Sequence, residues 1–234
     1  MIKYLLLLSI IIFAVIFGSM GINEGMSNKW ISDIWDNTEL DPSDIFFVQV
    51  GSNCGTTECA GCGEPIWEDC KKNKWSGIVI EPIPSVFNKL KENYSYNRNV
   101  IALNVAVSDK NGTSNFYEDG GEASSLSIEH TKKHKMKVNT INVKTITLLN
   151  LWENYVKSNK VDILNLDCEG YDHIILLSTD FDKIKPKPTY ILYESEHIPA
   201  DDKTKVLNHL KKYGYIFVKN HSLDTLVKLT KKTR

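Results

Sequence analysis

An apolar run that stops abruptly in a glycine loop constrains this chain more than any other feature. Residues 45–55 read IFFVQVGSNCG: a short strand that is apolar on both faces, then a loop of Gly51, Ser52, Asn53, Cys54 and Gly55. Glycine there tolerates a sharp turn and lets backbone come close to a ligand. In an open α/β sheet the carboxyl end of the first strand faces the crevice where nucleotides bind. The spacing is Gly-x-x-x-Gly and not the Gly-x-Gly-x-x-Gly of a dinucleotide loop, which weighs against an NAD enzyme; a plain tight turn is the other reading. Two later apolar runs also end in acids, GIVIEP at Glu81 and VDILNLDCEG at Asp167 and Glu169. Glu81 is placed to hold ribose hydroxyls.

The strands and helices alternate. Residues 66–74 read as a helix, 75–81 as the second strand, and 84–94 (PSVFNKLKENY) as an amphipathic helix opened by proline. Residues 100–107 form the third strand, 147–157 a helix, 161–167 a central strand, 189–194 a strand and 202–213 a helix. Residues 215–218 and 225–229 close the sheet. This alternation predicts a doubly wound, mostly parallel α/β sheet. Residues 113–143 interrupt it with a polar cluster, 130–137, and an alternating stretch, 138–146, that suggests a hairpin or edge strand. An insertion of this length in a compact domain is more often functional than decorative, which makes it a candidate lid over the substrate.

Residues 4–22 are uncharged and nearly all apolar, about the length that crosses a ~30 Å hydrocarbon core. Lys3 precedes this segment and Glu24, Asp33 and Asp36 follow it, so the positive-inside tendency places the N-terminus in the cytosol and the globular part in the lumen or outside. A cleaved signal peptide is the alternative. The expected organisation is an anchor over 1–22, a stem over 23–43 and one domain over 44–234, a length suited to a single core. With 28 basic against 29 acidic residues, the chain lacks the electrostatic footprint of a nucleic-acid binder.

Four of the five cysteines, Cys54, Cys59, Cys62 and Cys70, crowd behind the glycine loop. Local disulfides, free thiols and a zinc site are all open; the lumenal expectation favours disulfides, and the spacing is not that of two Cys-x-x-Cys knuckles. Cys168 reads as a small core residue. Asp167 and Glu169 at a strand end, with His173 on the helix after them, can remove a proton from a hydroxyl, hold a cofactor amine or bind a divalent metal; capping of the helix is the structural alternative. Glu194, Glu196 and His197 end the next strand and bring a second acidic and imidazole cluster to the same rim.

Four blocks in order, VQVGSNCG, GIVIEPIPSVFNKLKENY, NVAVSDKNGTSNFY and VDILNLDCEGYDHIIL, make the chain resemble the FkbM-like family of S-adenosylmethionine-dependent methyltransferases over roughly residues 45–197. The resemblance implies a seven-stranded, Rossmann-like methyltransferase sheet and methyl transfer to a hydroxyl oxygen. By position it implies that Gly51, Ser52, Asn53 and Gly55 line the methionine part of the cofactor. Glu81 would bind the ribose, Asn104 and Ala106 would lie near the adenine, and Asp167 and Glu169 would stand where the methyl is transferred. Asn165 stands where the family has a lysine. Compartment and family together point to a sugar hydroxyl of a glycan as acceptor, and the sequons at Asn93, Asn111 and Asn220 are compatible with a secretory route. A non-catalytic module of the same fold, binding a glycan or a protein, is the alternative of another class.

Overall fold

The computed structural model describes residues 40–56, 66–119, 123–134, 137–221 and 223–230. The apolar run 4–22 and most of the expected stem lie outside them, as do Cys59 and Cys62. Among the described residues no helix is long and apolar enough to cross a membrane.

The main sheet has seven strands: β1 (Phe46–Val50), β2 (Ser76–Ile80), β3 (Val100–Leu103), β7 (Ile163–Leu166), β8 (Tyr190–Glu194), β9 (Tyr215–His221) and β10 (Asp224–Leu229), in the order β3-β2-β1-β7-β8-β10-β9. All neighbours are parallel except β10, which runs antiparallel to both β8 and β9. The chain builds outward from β1 to β3 and then returns to β7. The order therefore reverses between β1 and β7, and the crevice at their carboxyl ends is the ligand position of such a sheet.

β1 is apolar at nearly every position because both of its faces are covered. Val48 and Val50, with Ile78, Ile80, Leu164 and Leu166, pack against helices α4 (Leu148–Tyr155), α5 (Asp172–Ser178) and α6 (Ala200–Lys212). Phe47, Val79 and Ile163 face the other way, onto α1 (Trp67–Asn73) and α2 (Pro84–Asn93). The period-two alternation of the strands thus sorts the core into two layers.

The third strand departs from its expected form. Residues 100–107 are not one strand: the chain leaves the main sheet after β3, and β4 (Ala106–Ser108) enters a second sheet of order β4-β6-β5 with β5 (Gly112–Glu118) and β6 (Asn139–Thr147). Asn104 makes the break. Its Nδ2 donates to the carbonyls of Glu81 (2.9 Å) and Pro82 (3.0 Å), joining the two strand ends where a ladder would otherwise continue. The insertion is therefore largely sheet, with α3 (Ile128–His134) packed on it, and 138–146 pairs there rather than at the edge of the main sheet.

Candidate active site

The glycine loop and the end of β7 are in direct contact. Gly51 has φ +77°, and a Cβ added there would stand 1.8 Å from the carbonyl oxygen of Asp167, so only glycine closes this turn. Ser52 is fully buried: its hydroxyl donates to the Gln49 carbonyl and accepts from the Ile80 N–H. Its side chain therefore holds the loop to β2. Asn53 takes a left-handed backbone, φ +46°, and its Oδ1 accepts from the Cys54 N–H.

Glu81 leaves the end of β2 and is 5% exposed; its Oε1 accepts from the Ile83 N–H at 2.8 Å. Burial raises its carboxyl to about 7, against the pull of the Ile83 and Asn53 amides. Of the two residues expected near an adenine, Asn104 lies beside this tip, whereas the Ala106 side chain is packed into a small satellite core with Ile83, Phe116 and Val143. Cys54 is disulfide-bonded, its partner lying outside the described residues, and so gives no thiolate to a zinc ion. Cys70 is free and buried, its thiol raised above its usual range by that burial. Cys168, read as a small core residue, lies just beyond β7 and is partly buried and free.

Across the switch point, the loop after β7 is bent by two consecutive left-handed residues, Glu169 at φ +49° and Gly170 at φ +81°. Asp172, fully buried, accepts from the Cys168 N–H at 3.1 Å, and Ser125 of the insertion donates to the Glu169 carbonyl at 2.9 Å. Held this way, Glu169 meets two imidazoles. His130 Nε2, on α3, is 2.9 Å from Glu169 Oε2, and His197 Nε2, after β8, is 3.9 Å from the same oxygen and 3.2 Å from Glu194 Oε1. The two imidazoles lie edge to face with centroids 4.5 Å apart. Asp167, exposed at the rim, completes a second grouping with Glu169 and Glu194. Burial, then the charges of Asp167, Asp172, Glu169 and Asp224, hold the Glu194 carboxyl well above the usual carboxylate range.

His173 does not join them. Its Nε2 lies 3.9 Å from Asp202 on α6, and burial lowers its pKa, so the first turn of α5 directs it toward the neighbouring helix. His130 takes the place expected of it. Within the sequence His130 is one member of a polar cluster, and nothing local marks it.

This sheet order, with its final antiparallel strand and a crevice flanked by a glycine loop and acidic strand ends, defines a methyltransferase-type Rossmann-like fold. The chain belongs to the FkbM methyltransferase domain family, whose model matches residues 49–217. No curated protein sequence matches it. Solved structures of similar fold include the precorrin-6Y C5,15-methyltransferase of Geobacter metallireducens, at 11% identity and a TM-score of 0.45, covering 86% of this chain and 87% of that one. Fibrillarin of Aeropyrum pernix, solved with natively bound S-adenosylmethionine, gives 12% and 0.46 over 85% and 73% of the two chains. A human methyltransferase 10 domain containing protein gives 10% and 0.46 over 87% and 80%.

The cofactor of the family is S-adenosylmethionine, and the residues present fit it. The turn that places the Gly51 backbone against the end of β7, the left-handed loop behind it and one buried carboxylate at the tip of β2 form the donor set that a nucleoside with a charged tail requires.

Proposed function

We propose that the protein is an O-methyltransferase acting on a sugar hydroxyl of a glycan or glycoconjugate, anchored by residues 4–22 with its catalytic domain lumenal or extracellular. The observation that carries the reading is the Glu169 carboxylate, set beside His130 and His197 two residues beyond Asp167, whose backbone packs against Gly51 of the glycine loop. The disulfide at Cys54 is at home in an oxidising compartment, which supports the lumenal placement.

In this reading the backbone of Gly51, Asn53 and Gly55 lines the methionine part of the cofactor, Glu81 accepts the ribose hydroxyls, and Asn104 lies near the adenine. When bound, S-adenosylmethionine supplies an electrophilic methyl group on a sulfonium. The acceptor hydroxyl lies against Asp167 and Glu169. Methyl transfer to its oxygen would leave S-adenosylhomocysteine as the other product, with Asp167 and Glu169 holding the hydroxyl in position for it. The hydroxyl proton passes to Asp167 or Glu169 and then to solvent. Holding the two reactants in line and away from water contributes much of the rate. The acidic rim also favours the positive sulfonium by simple Coulomb attraction.

The test is transfer of a labelled methyl group to a panel of glycans, with S-adenosylhomocysteine binding followed calorimetrically in the same preparation. Binding together with labelling of a glycan hydroxyl supports the reading. Binding with label on nitrogen or carbon overturns the O-methyl assignment. A folded chain that binds no S-adenosylhomocysteine returns the choice to a non-catalytic module.

A further inference from the structure

The cluster around Glu169 has more ligand atoms than a general base needs. Nε2 of His130, Nε2 of His197 and one oxygen of Glu169 all lie within 4.8 Å of one another, and so do one oxygen each of Asp167, Glu169 and Glu194. These donors come from three separate places: the insertion helix, the loop after β7, and the end of β8 with the loop that follows it. The pair distances of 2.9, 3.2 and 3.9 Å are those of ligands sharing one ion, since donors at about 2.1 Å from a metal stand roughly 3 to 4 Å apart.

Two further observations point the same way. Glu194 is 6% exposed and its Oε2 is buried with no hydrogen-bond partner among the described residues, an oxygen whose desolvation nothing there offsets. The backbone is also arranged around the imidazole. At Gly170, φ +81°, a Cβ would lie 3.2 Å from His130 Nδ1 and 3.4 Å from His197 Cβ, so the loop packs closely on both histidines. A non-glycine residue, Glu169, sits at φ +49° beside it, and strain of this kind persists where surrounding structure imposes it.

We propose that His130, Glu169 and His197, with Glu194 and Asp167 adjoining, bind one divalent first-row transition-metal ion. Two imidazoles with carboxylates suit manganese, iron, cobalt or zinc; magnesium and calcium take oxygen ligands. Three protein ligands leave coordination positions open, and neighbouring hydroxyls of a sugar can fill two of them. The metal site stands on its own geometry; only its use in binding the acceptor rests on the function proposed above. With Glu169 coordinated, Asp167 is the carboxylate that receives the hydroxyl proton.

The test uses the untagged full chain in detergent, stripped with EDTA and titrated with cobalt(II) chloride, bound metal being read by equilibrium dialysis and by visible absorption. The expected result is about one equivalent bound, with the d–d bands of a nitrogen- and oxygen-ligated ion that zinc displaces. His130→Asn and His197→Asn should each weaken binding by more than about tenfold, whereas His209→Asn, on α6, leaves it unchanged. Less than about 0.1 equivalent bound by the wild-type chain at about 1 mM cobalt overturns the proposal, as does undiminished binding in both variants. Titration of the same samples with S-adenosylhomocysteine reports the methyltransferase site separately, so cofactor binding without cobalt binding refutes the metal and leaves the proposed function standing.

Discussion

The two sides of the switch point are built from different material. On the β1–β2 side the site is backbone: a glycine loop packed against the end of β7, and one carboxylate tied to main-chain amides. On the β7–β8 side it is side chains, two imidazoles and several carboxylates gathered from distant segments. The first side is fixed by turn geometry and belongs to the fold as a whole. The second can be rewritten one side chain at a time, and is where this chain can differ in acceptor from others of the same architecture.

The sharpest way to break that contrast is Gly51→Ala. A Cβ 1.8 Å from a backbone oxygen, at φ +77°, meets an atom that cannot step aside. We expect a loss of more than about 3 kcal/mol in thermal or urea unfolding, together with loss of S-adenosylhomocysteine binding. Wild-type stability would show that the two strand ends are not locked. Next in size, Glu169→Gln should lower methyl transfer by about 10² or more while S-adenosylhomocysteine binding is unchanged. Unchanged turnover would remove Glu169 from the chemistry.

Glu81→Ala gives the converse, a folded protein whose affinity for S-adenosylhomocysteine in calorimetry drops about 100-fold, the worth of hydrogen bonds to a charged acceptor. Retained affinity would move the ribose elsewhere. Gly170→Ala should cost only about 1 to 2 kcal/mol in unfolding experiments, because the atoms its Cβ meets are side chains, 3.2 and 3.4 Å away, and can shift. A cost as large as that of Gly51→Ala would erase the distinction between the two sides.

The smallest effect is of pH. The Glu81 carboxyl is raised to about 7 in the empty protein, and ribose hydroxyls bind its ionised form. S-adenosylhomocysteine should therefore bind about tenfold more weakly at pH 6 than at pH 8, and Glu81→Gln should flatten the dependence. Stability of the empty protein runs the opposite way. A carboxyl with a raised folded pKa contributes fully below its unfolded value, 4.5, and that contribution is lost as pH rises through about 7.

The same contrast explains what could be read in the sequence. The strands of the main sheet, Gly51, Glu81, Asp167 and Glu169 are legible because each lies within a few residues of a strand end whose apolar run announces it. The break at Asn104 is not, because Val105, Ala106 and Val107 continue the apolar pattern while the chain changes sheets. His173 and His130 exchange roles for a related reason. Nearness in sequence to Glu169 favours His173, but the rotation of α5 turns it toward Asp202, and only the folding of the insertion delivers His130. Ser52, similarly, is legible as a loop residue but not as one whose hydroxyl is consumed by β2.

The second sheet changes what the insertion can be. β4 follows β3 directly after the break at Asn104, and β6 is hydrogen-bonded to both β4 and β5, so the described part of the insertion is a small sheet joined to the core through a two-residue link. The insertion thereby delivers Ser125 and His130 to Glu169 as fixed parts of the site, so that a change far away in the second sheet is felt at the end of β7.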